Sequence, residues 1–358
     1  MLNCLQGNRT SELRNPGTSE PLTTIRTIDA HAGGAPFRLV VEGMPVPAGR
    51  TLQQKLRALR KEQDGVRRLL MREPRGHLDL AGAVLTEPVT PGADAGVIFM
   101  HASDFAPLCG HGLLVVATVA PERGLLHLGD RQDALVFDTA VGPFTVEVER
   151  APGSGVDRPL RIVSAAFVGP PSFVWRAGVR VGFAGRQVPV DVAFGGEFYA
   201  VVDAEAAGVA LDVAHLPELR RAGPTLIEAV EAACPVAHPL DPTISGLAGV
   251  IFTGPPSGEA AALRNATVFA DQAVDRSPGG TGTCAVMAIL DAMGLLSEDD
   301  DFVNESLIGA TFRGRIAGRT AVGDRSAILP RVEGSAFIVG DHVFTLDESD
   351  PFQDGYAF

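Results

Sequence analysis

Between residues 24 and 41 the chain gathers its apolar positions into two short runs, Thr24-Ile25-Arg26-Thr27-Ile28-Asp29 and Phe37-Arg38-Leu39-Val40-Val41, around His31-Ala32-Gly33-Gly34-Ala35-Pro36. This is the pattern of two strands joined by a glycine turn. From 51 to 72 the period lengthens. Leu52, Leu56, Leu59, Val66 and Leu70 recur at helical spacing with arginines opposite them, which predicts one helix with an exposed charged face. Strand-like runs follow at 84–85, 96–100 and 144–148, and a helical apolar run spans 112–120. The theme then repeats: strands are predicted at 161–167, 198–203, 250–253, 310–316 and 335–345, and helices at 225–233 and 281–293.

These elements predict an α+β fold of two similar α/β halves. At 358 residues the chain exceeds the size at which a single core keeps growing, so two domains are expected. The first half covers 22–165 and the second 166–337, with strands in 338–358 packing back on the first. The crossover falls at Gly169-Pro170-Pro171 or in the loop 151–157. Residues 1–21 are polar and turn-rich without an apolar h-region, and read as a flexible tail rather than a secretory signal.

A net charge of −13 argues against nucleic-acid partners, which would want a basic face, and against anionic membrane. No run of 18 apolar residues offers a bilayer span. The four cysteines, Cys4, Cys109, Cys234 and Cys284, are too scattered for a disulfide framework or a zinc site, which suits a reduced, cytoplasmic setting. Only Lys55 and Lys61 could form a Schiff base, and both fall in the exposed helix, so pyridoxal phosphate is not expected. No phosphate-cradling loop marks a nucleotide site. His31, His77 and His111 lack the spacing of metal-ligand pairs. No cofactor and no metal are expected.

The chemistry gathers in two segments 170 residues apart. Cys109-Gly110-His111-Gly112 opens one apolar helix and Gly279-Gly280-Thr281-Gly282 opens another. Glycines at a helix start leave backbone N–H groups approachable, and such a nest binds a carboxylate or phosphate. A helix dipole stabilises an anion at that end by about 0.3–1 kcal/mol. A reactive thiol at Cys109 would therefore also need a cationic neighbour, such as a substrate ammonium or a histidine. Otherwise it is a small buried hydrophobe. Cys284 lies inside the second helix and reads as core, and Cys234 as structural. Asp275, ahead of the second nest, either holds a cationic amine or caps its loop. One such segment per half suggests a site in a central cleft.

Six stretches carry a resemblance: His31-x-Gly33-Gly34-x-Pro36-x-Arg38, Gly76-His77-x-Asp79, Gly96-Val97-Ile98-Phe99-Met100, Cys109-Gly110-His111-Gly112, Gly195-Gly196-x-Phe198-Tyr199-Ala200 and Asp275-Arg276-Ser277-Pro278-x-Gly280-Thr281-Gly282. Together they resemble the proline racemase family, which includes hydroxyproline epimerases and trans-3-hydroxy-L-proline dehydratases. The resemblance implies a cofactor-free, diaminopimelate-epimerase-like fold, often dimeric, acting on a small cyclic imino acid. It implies Cys109 as Cα acid/base and the amides of Gly110, Gly280 and Thr281 as carboxylate ligands. His111 and Asp275 would contact the ring nitrogen, and Phe269 would form an aromatic wall.

The chain departs from this pattern at Gly279, where racemases and epimerases carry a second cysteine. Leu80-Ala81 and Asp104-Phe105 also differ from the usual residues. Inversion at Cα needs an acid/base on each ring face, and Gly279 supplies none. Loss of water from trans-3-hydroxy-L-proline needs only one, because the 3-hydroxyl and the Cα hydrogen share a face. Dehydration with Cys109 alone is therefore the first expectation. A 4-hydroxyproline 2-epimerase or amino-acid racemase is the second, and a non-catalytic binder of cyclic amino acids the third.

Overall fold

The structure, a computed structural model, describes residues 23–128, 133–155, 158–347 and 349–357. The tail expected over 1–21, with Cys4, lies outside the described residues. The chain forms two compact units. One comprises Met1–Ala32, Pro36–Ala165 and Ser335–Phe358, and the other Gly33–Ala35 and Ala166–Gly334. The three turn residues Gly33–Ala35 thus count with the second unit although the strands on both sides of them lie in the first.

In the first unit β1 (Thr23–Ala32) and β2 (Ala35–Glu42) pair with each other. The chain's last strand, Ala336–Leu346, runs antiparallel along all of β1. The single helix expected over 51–72 is two, α1 (Leu52–Glu62) and α2 (Asp64–Met71), which meet at Gln63. Their apolar faces pack with Ile25, Val84 and Ile98 into one core. Lys55 is not on an exposed face as the charge pattern predicted. It is 6% exposed, its ammonium donates to the Glu87 carbonyl, and burial pulls its pKa below the usual lysine value. Then come β3 (Ala81–Thr86), β4 (Ala95–His101), the short β5 (Phe105–Ala106), α3 (Gly110–Glu122), β6 (Ala134–Thr139) and β7 (Gly142–Arg150). β2 lies parallel to β3, β4 antiparallel to β3, β5 antiparallel to β4, β6 parallel to β4 and β7 antiparallel to β6. Strand β8 (Ile162–Val168) follows.

The second unit opens with β9 (Phe173–Phe183), β10 (Arg186–Phe194) and β11 (Phe198–Asp203). Helices α4 (Ala204–Ala207) and α5 (Leu216–Ala233) come next. The latter begins well ahead of the expected 225, with Pro217 tolerated in its first turn, where no N–H is needed. After them stand β12 (Leu247–Gly254), β13 (Leu263–Phe269), the short β14 (Val274–Asp275), α6 (Gly280–Ala292), β15 (Phe302–Ser306), β16 (Thr311–Val322) and β17 (Arg325–Gly334). The last strand named above is β18.

The pairings repeat those of the first unit. β11 is parallel to β12, β13 antiparallel to β12, β14 antiparallel to β13, β15 parallel to β13 and β16 antiparallel to β15. The repeat extends to side chains. Asp138 accepts from the amides of Val89 and Thr90, and at the matching place Glu305 accepts from the Ser257 amide and hydroxyl. The fold is α+β, two similarly wound α/β units, each of which threads one largely apolar helix through its interior. A helix apolar on every side belongs inside. Residues 110–121 and 280–289 are buried without exception.

Candidate active site

Cys109 is the residue before α3, with extended backbone (φ −146°, ψ 109°). The first N–H groups of an α-helix have no acceptor within it. The Leu113 N–H closes the first turn on the Cys109 carbonyl at 3.0 Å, so the amides of Gly110, His111 and Gly112 lie ahead of the ladder and form the nest. The Cys109 Sγ is 3.7 Å from both Nδ1 and Nε2 of His111. Both residues are buried. The imidazole meets Phe37 edge-on, with centroids 6.0 Å apart and planes at 88°, which fixes it beside the sulfur. Thiol, imidazole and a positive helix end thus coincide, an arrangement suited to moving a proton on and off sulfur. A Cβ at Gly112 would fall 2.6 Å from the Phe37 ring and 2.8 Å from the Phe99 ring, so this glycine serves packing.

The start of α6 is built differently. Gly279 precedes the helix with φ +80°, a backbone that L-residues avoid. Its N–H donates to Ser277 Oγ (3.1 Å), while the Ser277 amide and hydroxyl both donate to Asp275 Oδ1 (2.8 Å each). Asn265 and Asn304 donate to the Pro278 carbonyl at 3.0 and 3.3 Å, and Asn304 also to Thr283 Oγ1 at 2.8 Å. Thr283 closes the first turn on the Gly279 carbonyl. The loop from Asp275 to Gly279 is therefore held rigidly by buried polar groups, and the amides of Gly280, Thr281 and Gly282 are presented ahead of the ladder, as in the first unit.

Thr281 Oγ1 lies 2.8 Å from the Tyr199 hydroxyl, which donates to Glu197 Oε2 at 3.0 Å. Burial raises the Glu197 carboxyl above its usual range. Although the residue as a whole is half-buried, its carboxyl end is enclosed. Burial, reinforced by the Glu197 charge, pushes the Tyr199 phenol well up, so Tyr199 stays a neutral hydroxyl. A Cβ at Gly195 would lie 2.3 Å from the Thr281 carbonyl oxygen and 2.5 Å from the Ala285 amide. Only glycine lets that strand end approach α6 and bring Tyr199 to Thr281.

The expected site residues thus fall into two groups. Cys109, Gly110 and His111 stand together at the α3 start. Asp275, Gly279, Gly280 and Thr281 stand together at the α6 start, with Phe269 at the end of β13, half-buried against the core cluster that includes Tyr199, Ile251 and Ala285. His111, expected only at the substrate nitrogen, is also the neighbour of the thiol. Cys284 is core: it is fully buried, its thiol is pushed up to about 12 by burial, and its sulfur packs against Gly169. The residues of this arrangement that sequence reasoning did not single out are Glu197 and Tyr199. Tyr199 stood within a quoted motif whose chemistry only the fold explains. Among the described residues, no cluster of three or more His, Cys, Asp or Glu is arranged to hold a metal, and no helix is long and apolar enough to cross a membrane.

The family model for proline racemase matches residues 27–357. A trans-3-hydroxy-L-proline dehydratase from Azospirillum brasilense is 39% identical over 334 residues, covering 93% of this chain and 98% of that protein. A 3-hydroxyproline 2-epimerase from Burkholderia multivorans is 38% identical over 334 residues, with the same coverage. Among solved structures, a hydroxyproline epimerase from Agrobacterium vitis with bound trans-4-hydroxy-L-proline superimposes with a TM-score of 0.83 at 28% identity, covering 94% of this chain and 96% of that one. A protein of the phenazine-biosynthesis PhzF family from Bacillus anthracis shares the fold, with a TM-score of 0.55 at 12% identity over 90% of this chain and 99% of that one.

Proposed function

The chain belongs to the proline racemase family, and from that premise we propose that it is a hydro-lyase converting trans-3-hydroxy-L-proline to Δ1-pyrroline-2-carboxylate without a cofactor. The observation that carries this reading is the contrast between Cys109, a thiol beside His111 at a helix start, and Gly279, whose backbone disfavours any side chain at the corresponding start.

In this mechanism the Cys109 thiolate takes the Cα proton. The electron pair left at Cα forms the C2–C3 double bond as the C3–O bond breaks. The departing hydroxyl recovers the proton from the thiol and leaves as water, and the enamine then tautomerises to the cyclic imine. Charge that builds on the carboxylate during proton removal is met by preorganised N–H donors, a role assigned to the amides of Gly110, Gly280 and Thr281. His111 and Asp275 hold the ring nitrogen, and Phe269 lines the ring. A reduced cytoplasm suits an enzyme that works through one thiol.

Purified protein incubated with trans-3-hydroxy-L-proline and a reductase that consumes the cyclic imine tests this. Steady consumption of reductant is the expected result. No product from this substrate, with turnover of a 4-hydroxyproline instead, overturns it. Epimerisation is the second reading, supported by the 38% identical epimerase and by the Asp275 carboxylate, whose Oδ2 lies 3.6 Å from where a Gly279 side chain would begin. Deuterium entering Cα with inversion would distinguish it.

A further inference from the structure

Thr267 and Asp275 face each other directly across the β13–β14 ladder, so both side chains leave the hairpin on one face. Thr267 is 2% exposed, and its Oγ1 has no hydrogen-bond partner among the described residues. Buried hydroxyls are nearly always satisfied by protein or by ordered water, so one without a protein partner is a candidate for a bound water. The repeat sharpens the point. At the matching rung of the first unit, paired with Ala106 on β5, stands Phe99, whose ring fills the space against Gly112. At the second unit's rung the equivalent space, against Gly282, is met by Ile251 Cδ1 at 3.2 Å and by the Thr267 hydroxyl at 3.5 Å. A side chain starting at Gly279 would find Asp275 Oδ2 at 3.6 Å and Thr267 Oγ1 at 3.7 Å, both ordinary contact distances. Two oxygens therefore converge on a volume that the glycine leaves open.

We propose that Thr267 Oγ1 and Asp275 Oδ2 hold one ordered water molecule beside Gly279. Water fits both oxygens. It donates to the carboxylate, which accepts more than one bond, and gives to or takes from the threonine. Two to four such partners are what an ordered buried water requires. The ring hydroxyl of trans-3-hydroxy-L-proline is not the occupant, because in the proposed reaction it lies on the face served by Cys109; the water site itself needs nothing from that reading.

Crystals of the wild-type protein, free and soaked with trans-3-hydroxy-L-proline, test the site directly. An ordered oxygen within hydrogen-bond distance of both Thr267 Oγ1 and Asp275 Oδ2 is expected. If the free protein holds it, the source is water. An oxygen that appears only in the soaked crystal belongs to the substrate and overturns the site. Thr267→Val should remove that oxygen, and Thr267→Ser should restore it. The site is overturned if neither crystal shows the oxygen, or if the oxygen persists in Thr267→Val. Failure of the dehydratase reading would show separately, as absence of imine product from the wild-type enzyme.

Discussion

The starts of α3 and α6 are the same device with different tolerances. Both present three amides at the head of a buried 13-residue helix. The residue before α3 has an extended backbone that any amino acid adopts, so a thiol there is compatible with the fold at no backbone cost. The residue before α6 has φ +80°, and its loop is locked by Asp275, Ser277, Asn265 and Asn304. The lesson is that at the α6 start the backbone, as much as the absent side chain, disfavours a thiol. Phe37 against His111 and Tyr199 against Thr281 tell the same story. One unit holds its helix start by ring packing and the other by a hydrogen-bonded chain.

The largest effect that separates the two starts is at the sulfur. Cys109→Ala should lower imine formation by at least about 10²–10⁴-fold, the usual worth of a positioned acid/base, while thermal unfolding stays near wild type because φ −146° suits alanine. Asp275→Asn should lower kcat/KM for the hydroxyproline by roughly 10- to 100-fold, the loss of one charged hydrogen bond, visible in the same coupled assay. Gly279→Cys should not create a racemase. It should instead destabilise the protein by about 1–2 kcal/mol through the left-handed backbone alone, read as a lower Tm, with no D-proline formed from L-proline. Expression of inversion activity by that variant would break the comparison.

The smallest expected effect concerns pH. The Glu197 carboxyl titrates above its normal value in the folded protein, so the native state binds a proton that the unfolded chain has already released. Its contribution to stability is full below the unfolded pKa of about 4.3 and is lost as pH rises through the folded value. Glu197→Gln, followed by denaturant unfolding across that window, should flatten the decline.

Much of this was legible in the chain. The unbroken apolar runs behind the two glycine segments located both interior helices to within two residues, because a helix buried on every face leaves few polar positions in its middle. The GxG pairs marked the nests for the same reason that they form them. Other features depend on contacts that periodicity does not encode. The break at Gln63 separates α1 from α2 within one continuous amphipathic pattern. Lys55 is buried because Glu87, 32 residues away, offers a carbonyl. Thr267 reads as an ordinary strand threonine until register sets it opposite Asp275. A glycine's sequence letter does not report its φ, so Gly279 shows a missing thiol and conceals the conformation that keeps it missing.

Cys284 has a practical consequence for anyone who labels this protein. Burial pushes that thiol up to about 12, so the sulfur stays protonated near neutral pH, and alkylating or oxidising reagents attack the anion. Inactivation by iodoacetamide under mild conditions must therefore be traced to a different sulfur.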